Sequence, residues 1–444
     1  MSMKRRENER QADLWIAASQ VAVSPGNPFY TRLNAILTQK GFDAFVEDLC
    51  EKFYAMGKGR PGIEPGVYFR MLLIGYLEGI DSERGIAWRC ADSLGLREFL
   101  GFTLSEATPD HSSLSVIRRR LDVETHGEVF RWVLKALTEA GLIKGKTIGV
   151  DATTLEANAA LRSIVRRDTG EGYEEFLTKL AKASGIETPQ REDLAKLDRK
   201  RPKKGSNKEW VHPQDPEARI TKMKDGRTHL AHKAEHAVDM ETGAVVAVTM
   251  HGADKGDTQT LMSTLSQVAE NLGDLPLKGP LLQEVVADKG YHCNETASAL
   301  AELEVRSYLS EPARGRRRWQ GKDAEQQAVY ANRQRIRGTR GKRLMRRRGE
   351  LVERPFAHCY ETGAMRRTHL RGQDNILKRL LVHVAGCNLG LLMRRKFGFG
   401  TPRGLSELLS SILSLVFRAH DAAQRLWRTF RLPQTIYPSA FSAA

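Results

Sequence analysis

Two short apolar runs in this 444-residue chain each end on a carboxylate. Lys146-Thr147-Ile148-Gly149-Val150-Asp151 reads as a buried strand terminated by Asp151, and Glu284-Val285-Val286-Ala287-Asp288-Lys289-Gly290-Tyr291 repeats the pattern, with Gly290 turning the chain after Asp288. An acid presented at the end of a strand suits a hard divalent cation. Mg²⁺ prefers oxygen ligands and commonly takes one or two carboxylates, filling its shell from water and substrate phosphate. A third acid, brought by a helix beside the sheet, would complete such a site. Glu353 in Gly349-Glu350-Leu351-Val352-Glu353-Arg354-Pro355-Phe356 is the candidate, with Glu350 one helical turn away as the alternative. Asp254 and Asp257, flanked by Gly252 and Gly256 ahead of a helical segment, read instead as turn and cap residues.

The order G-V-D, then A-D-K-G-Y, then V-E-R-P-F resembles the DDE transposases of bacterial insertion sequences, and the resemblance extends to Asp215–Arg219 and His229–His236. It implies an α/β (α+β) fold: a ribonuclease-H-like mixed sheet flanked by helices and preceded by an all-α N-terminal domain. It also implies that Asp151, Asp288 and Glu353 are both the catalytic residues and the ligands of two Mg²⁺ (or Mn²⁺) ions, with Asp151 bridging the pair. The E-x-x-F spacing to Phe356 favours Glu353 over Glu350. One departure is visible: the family often carries a Tyr and an Arg at set distances before this Glu, and Gly349 stands at the Arg position. Two metals about 3.5–4 Å apart stabilise both the attacking and the leaving oxygen of an in-line phosphodiester displacement. Strand transfer follows when the freed 3′-OH attacks a target phosphate. Without metal, three clustered carboxylates repel one another, which raises the pKa of at least one.

Composition agrees with an anionic partner. The formal net charge is +16, from 70 Lys and Arg against 54 Asp and Glu, and such an excess attracts polyanions. Double-stranded DNA, as element ends and target, is the expected partner, bound by a homodimer or higher oligomer because two ends must be brought together. A membrane is not expected: the most apolar stretch, Ile376–Met393, is interrupted by Lys378, Arg379, His383 and Asn388, short of the run of about 18 apolar residues that a span requires. The N-terminus has acids among its basic residues and does not read as a signal peptide. The five cysteines are scattered and form no C-x-x-C pair, so neither a disulfide framework nor a zinc knuckle is indicated. The expected location is the cytoplasm, on the nucleoid of a bacterium.

The elements that must position these acids follow from periodicity. Residues 1–130 read as a helical, DNA-binding region. Its segment from Thr108 to Leu121 predicts a helix capped by Asp110 or Ser112 and bearing Arg118, Arg119 and Arg120, compatible with a helix-turn-helix reader and equally with a basic solvated face. Residues 145–400 form the expected catalytic domain. A basic insertion at about 160–226 carries Lys203 and Lys204 in a loop suited to a phosphate backbone. His229–Val238 and Ala244–Met250, joined by Asp239–Gly243, predict a hairpin; a helix follows near Gln259–Leu272, then the Asp288 strand, a helix at Glu295–Glu304 and a strand at Val305–Leu309. A second basic insertion at 312–348 offers Arg316, Arg317, Arg318, Arg346, Arg347 and Arg348, with Trp319 either stacking on a base or anchoring the packing. Residues 401–444 form a helical tail. Two other readings of the chain share these elements: a metal-dependent nuclease of the same fold, and a catalytically silent DNA-binding protein derived from a transposase.

Overall fold

The computed structural model describes residues 26–55, 62–201, 205–223, 226–313, 315 and 317–430. Among the described residues seven helices come first: α1 (Pro28–Gln39), α2 (Phe42–Cys50), α3 (Pro65–Glu78), α4 (Glu83–Asp92), α5 (Leu94–Leu100), α6 (His111–Arg120) and α7 (Val123–Glu139). Local chemistry starts most of them. Asn27 accepts from the Phe29 amide at 3.0 Å ahead of Pro28, Asp110 from Ser113 at 2.8 Å and Asp122 from Thr125 at 2.7 Å, each satisfying an amide that has no partner within its helix. Helix α3 is apolar nearly all round and buried from Gly66 to Tyr76, which makes it the centre of the helical layer. The helical region runs on to Glu139, past residue 130, because Val129, Phe130, Val133, Leu134 and Leu137 give α7 a continuous buried face.

The sheet follows. Strand β1 (Thr147–Glu156) leads into the segment 157–227, where β2 (Val165–Arg166), α8 (Tyr173–Ala183), α9 (Arg191–Lys200), β3 (Trp210–Val211) and β4 (Arg219–Lys222) fold over the buried Trp210. Next come β5 (Thr228–Asp239), β6 (Val245–Gly252), α10 (Asp257–Gly273), β7 (Glu284–Ala287), α11 (Asn294–Glu302) and β8 (Arg306–Leu309). The main sheet has the order β6-β5-β1-β7-β8, with β4 beside the start of β5. The β6-β5-β1 pairs are antiparallel and the β1-β7-β8 pairs parallel. An antiparallel three-strand meander continued by two parallel strands is the ribonuclease-H-like arrangement. The hairpin turn is held by Asp239, which accepts from the amides of Lys144 (2.6 Å), Gly145 (2.8 Å) and Glu241 (2.8 Å). Asp239 thereby ties the entry of β1 to the β5–β6 turn.

Residues 312–348, expected as a basic insertion, lie largely in helices. Helix α12 (Asp323–Arg337) packs on α11 and β8, and α13 (Thr339–Phe356) crosses one face of the sheet against β1, β7 and β5. Helix α14 (Gln373–Phe397) then passes between the sheet and the N-terminal helices α3 and α7, so both regions share one core. Asn388 pairs with both the N–H (2.9 Å) and the C=O (2.7 Å) of Val245 on the edge strand β6. By length and composition a stretch within 373–426 is apolar enough to cross a membrane, but it is mostly buried as a core helix. The polar groups that interrupt it are matched by the N-terminal layer: Lys378 Nζ donates to the Arg118 carbonyl at 3.1 Å and Arg379 Nη2 to the Ile80 carbonyl at 2.8 Å. Helix α15 (Pro402–Phe430) follows.

Burial keeps three core histidines neutral. It pushes His126 down to about 4 and His236 and His383 down to about 3. In the unfolded chain each titrates near 6.5, so below that value the unfolded state binds more protons than the folded one, and stability falls as pH drops from 6.5 toward the folded values. Each group withdraws roughly 2 kcal/mol between its ordinary pKa and about pH 5. The urea midpoint is therefore expected to fall steeply on acidification, and His126→Gln, which cannot titrate, to flatten that slope.

Candidate active site

Strand register brings the two aspartates together. Thr147, Ile148 and Gly149 of β1 pair in parallel with Glu284, Val285 and Val286 of β7. Two residues further on, Asp151 and Asp288 stand level, on the same side of the sheet as Gly149. That side is covered by α13. A Cβ on Gly149 would lie 2.7 Å from Val352 Cγ2 and 2.5 Å from Met240 Sδ, so the missing side chain lets the helix lie flush on the strand. Four residues before Val352, Arg348 reaches Asp151: its Nη1 donates to Oδ2 at 2.9 Å, while Oδ1 accepts from the Ala152 amide at 2.8 Å. Burial pushes the Asp151 carboxyl above its ordinary range; Arg348 and the Ala152 amide pull it back, and the Asp288 charge adds to the rise. Across β5, His236 pairs with Asp151, stacks on Phe356 (centroids 4.4 Å apart) and hydrogen-bonds the Tyr360 hydroxyl at 2.8 Å.

Asp288 caps a single 3-10 turn, Lys289–Tyr291, accepting from the Gly290 amide at 2.8 Å. That turn is anchored from behind. The buried Tyr291 hydroxyl donates to Glu235 Oε1 at 2.7 Å, and Glu235 also accepts from Thr260 (2.8 Å) and Thr264. Lys233 Nζ meets Asp257 Oδ1 at 2.7 Å and Thr260 at 3.0 Å. A methyl group on Gly290 would fall onto the Asp257 carboxylate and sit 3.1 Å from Asp288 Oδ1. Asp257, read from sequence as a cap residue, does open α10, but its carboxylate also packs against the turn that presents Asp288. The signal for this network lay in the alternation of β5, which puts Lys233 and Glu235 on one buried face where an unpaired charge is not tolerated.

The third acid stands apart. Leu351, Val352 and Pro355 of α13 are buried, whereas Glu353 is exposed on the flank of the helix, its Oε1 3.9 Å from where a Gly349 Cβ would lie. Glu350 is exposed and pairs with Arg354 at 3.2 Å. Among the described residues no three His, Cys, Asp or Glu side chains stand close enough to hold a metal together. The Asp151–Asp288 pair does fit a divalent cation: both donors are hard carboxylate oxygens, and one already holds a cation supplied by the chain itself, the Arg348 guanidinium.

The basic residues divide. Arg119 and Arg120 are exposed at the end of α6, with Arg120 over the Tyr54 ring at 4.8 Å. Arg118 turns inward to an ion pair with Glu83, which corrects its reading as a surface cation for DNA. Arg317 is held by Glu311 at 2.5 Å, and Trp319 is half-buried against Ala297, Ala328 and Val329. Arg318, Arg346 and Arg347 are exposed, Arg347 donating to the Glu241 carbonyl at 3.0 Å. Lys203, Lys204 and Arg316 lie outside the described residues.

Strand order and the level carboxylates of Asp151 on β1 and Asp288 just past β7 define a ribonuclease-H-like protein of the polynucleotide-processing class. Residues 20–120 match the family model described as transposase domain (DUF772), and residues 162–389 the model described as transposase DDE domain. The second match spans more than half of the chain: this chain belongs to the DDE transposase family and is a DNA transposase. A comparison with curated proteins finds no match. Among solved structures, the chain is similar to the Mos1 transposase paired-end complex with left transposon end (9% identity, 70% of this chain and 82% of that one, TM-score 0.17). It is also similar to the Mos1 mariner paired-end complex with Mn (10% identity, 77% and 99% covered, TM-score 0.17). Scores this low do not superpose the folds, and the fold assignment comes from the strand order.

Gly290→Ala tests the close packing behind Asp288. The added methyl must push Asp257 or the turn aside, an overpacking that costs roughly 1–3 kcal/mol. Metal-dependent DNA cleavage is expected to drop about a hundredfold, the effect of an ångström-scale misplacement, while circular dichroism stays native.

Proposed function

We propose that Asp151, Asp288 and Glu353 are the catalytic acids of this transposase and that they hold two Mg²⁺ or Mn²⁺ ions at the ends of the inverted repeats of an insertion sequence. The observation that carries this reading is the level placement of Asp151, midway along β1, and Asp288, just past the end of β7, under the helix that bears Glu353. Bound divalent cations supply charge stabilisation of the phosphate and an activated water or 3′-OH. The chain's own residues do the rest. Asp151 and Asp288 present oxygen donors from the sheet, and Glu353 would complete the set from the exposed flank of α13, the helix that Gly149 and Val352 seat on β1. Exposed Arg119, Arg120, Arg318, Arg346 and Arg347 supply cations for the DNA backbone. The protein acts as a homodimer or higher oligomer on two DNA ends, in the bacterial cytoplasm, without a membrane partner.

The test is cleavage and joining of DNA carrying the flanking inverted repeats, in Mg²⁺ or Mn²⁺. Asp151→Asn, Asp288→Asn and Glu353→Gln should each lose both activities by at least about a thousandfold, several kcal/mol of metal-borne stabilisation being removed, with DNA binding kept and Glu350→Gln active. A wild-type chain that binds the ends but never cuts them would sink the proposal and leave the silent binder; one that cuts but never joins would leave the nuclease. DNA affinity provides a second check. The double variant Arg119→Gln/Arg120→Gln should lower the slope of log K against log salt by roughly 2. Arg118→Gln should instead lower the melting midpoint, because Glu83 loses its buried cation.

A further inference from the structure

We infer that Arg348 is an internal counter-ion that occupies the metal's place on Asp151, so that a divalent cation must displace it to load the site. The inference rests on the reading of Asp151 as a metal ligand. One oxygen of Asp151 is committed to its own backbone, accepting from the Ala152 amide. The other is the oxygen left for a cation, and Arg348 Nη1 holds it at 2.9 Å. The pair is sheltered, with the Arg348 side chain 14% exposed and that of Asp151 22% exposed. Bringing two carboxylates, Asp151 and Asp288, level on neighbouring strands while partly desolvating them is unfavourable unless a positive charge comes with them. Helix α13 delivers that charge five residues before Glu353.

The guanidinium is not fully satisfied where it sits. Its Nε is buried and has no hydrogen-bond partner, and its contact with Asp151 is one Nη1 bond rather than the two-armed fork that makes arginine–carboxylate pairs strong. A held but incompletely bonded cation neutralises the carboxylates without locking them. Arginine is also long enough to leave by rotating about its own side-chain bonds, with no movement of α13. Metal affinity is therefore set below what the carboxylates alone would give, by the free energy of the Arg348–Asp151 pair.

The experiment measures Mn²⁺ binding to the full-length chain without DNA, following free Mn²⁺ by electron paramagnetic resonance, for wild type, Arg348→Gln, Arg348→Lys, Asp151→Asn and Arg343→Gln. Losing one charge-assisted hydrogen bond that competes with the metal should tighten Mn²⁺ binding about tenfold in Arg348→Gln. Arg348→Lys should fall between wild type and Arg348→Gln and serves as the readout should Arg348→Gln fail to fold. Arg343→Gln, which removes an exposed charge from the same helix, should bind Mn²⁺ as wild type does and so separates the local pair from overall charge. The melting midpoint of Arg348→Gln should drop without metal and rise more than that of wild type when Mn²⁺ is added. Unchanged or weaker Mn²⁺ binding in the Arg348 variants, with Asp151→Asn impaired, overturns the counter-ion role alone. If Asp151→Asn binds Mn²⁺ as wild type does, the metal-site reading itself fails.

Discussion

Two negative charges are placed side by side where the parallel pairing of β1 with β7 stops, and much of the structure around them answers that repulsion. Strand register sets Asp151 level with Asp288, and burial raises the Asp151 pKa. The compensating charge comes from above, through Arg348 on α13. For α13 to bring it within reach, β1 must offer no side chain at Gly149, and the β5–β6 turn must be drawn against the start of β1 by Asp239. Behind the sheet, Glu235, Tyr291, Lys233 and Asp257 form a second charged cluster that fixes the turn carrying Asp288. The acids are thus held by neighbours on both faces of the sheet.

The helical N-terminal region and the sheet are joined through α14 rather than standing as separate bodies. Polar side chains on that helix, which would be costly in a membrane, are spent here on carbonyl groups of the N-terminal layer and on the edge strand β6. Arg118 belongs to the same joint: its carbonyl accepts from Lys378 and its guanidinium pairs with Glu83. Only Arg119 and Arg120 of that arginine triplet remain for an outside partner. A basic sequence run therefore divides between structural and surface roles according to which helix face each residue occupies.

Elements with strong local signals were legible. The β5–β6 hairpin showed in its alternation and its Asp239–Gly243 turn, α10 in its apolar stripe, and the Asp288 strand in an apolar run closed by an acid. Asp151, read as the end of its strand, instead sits within β1, which runs on to Glu156 because β5 pairs with it that far. Less legible were helices made of charged residues. Helices α12 and α13 lie in what reads as a basic insertion, because their buried faces are narrow and interrupted by arginines whose partners, such as Glu311 for Arg333 and Glu284 for Arg340, are distant in sequence. Asp257 shows the same limit at the site. Its sequence context marks a helix start, and nothing local reports that Lys233, two strands earlier, will claim its carboxylate.

The sequence by itself determined the family, the order of the elements from the β5–β6 hairpin to β8 and the two aspartates carried by β1 and the end of β7, because these depend on short-range period and on motifs a few residues long. The tertiary structure alone decided who meets whom: that Arg348 rests on Asp151, that Arg118 faces inward, that Trp319 packs half-buried on α11 and α12 and that Glu353 lies on an exposed helix flank. The physical reason is that a charge's role is set by its burial and its nearest opposite charge. Both arise only when segments separated by up to some two hundred residues, as Asp151 and Arg348 are, pack against each other.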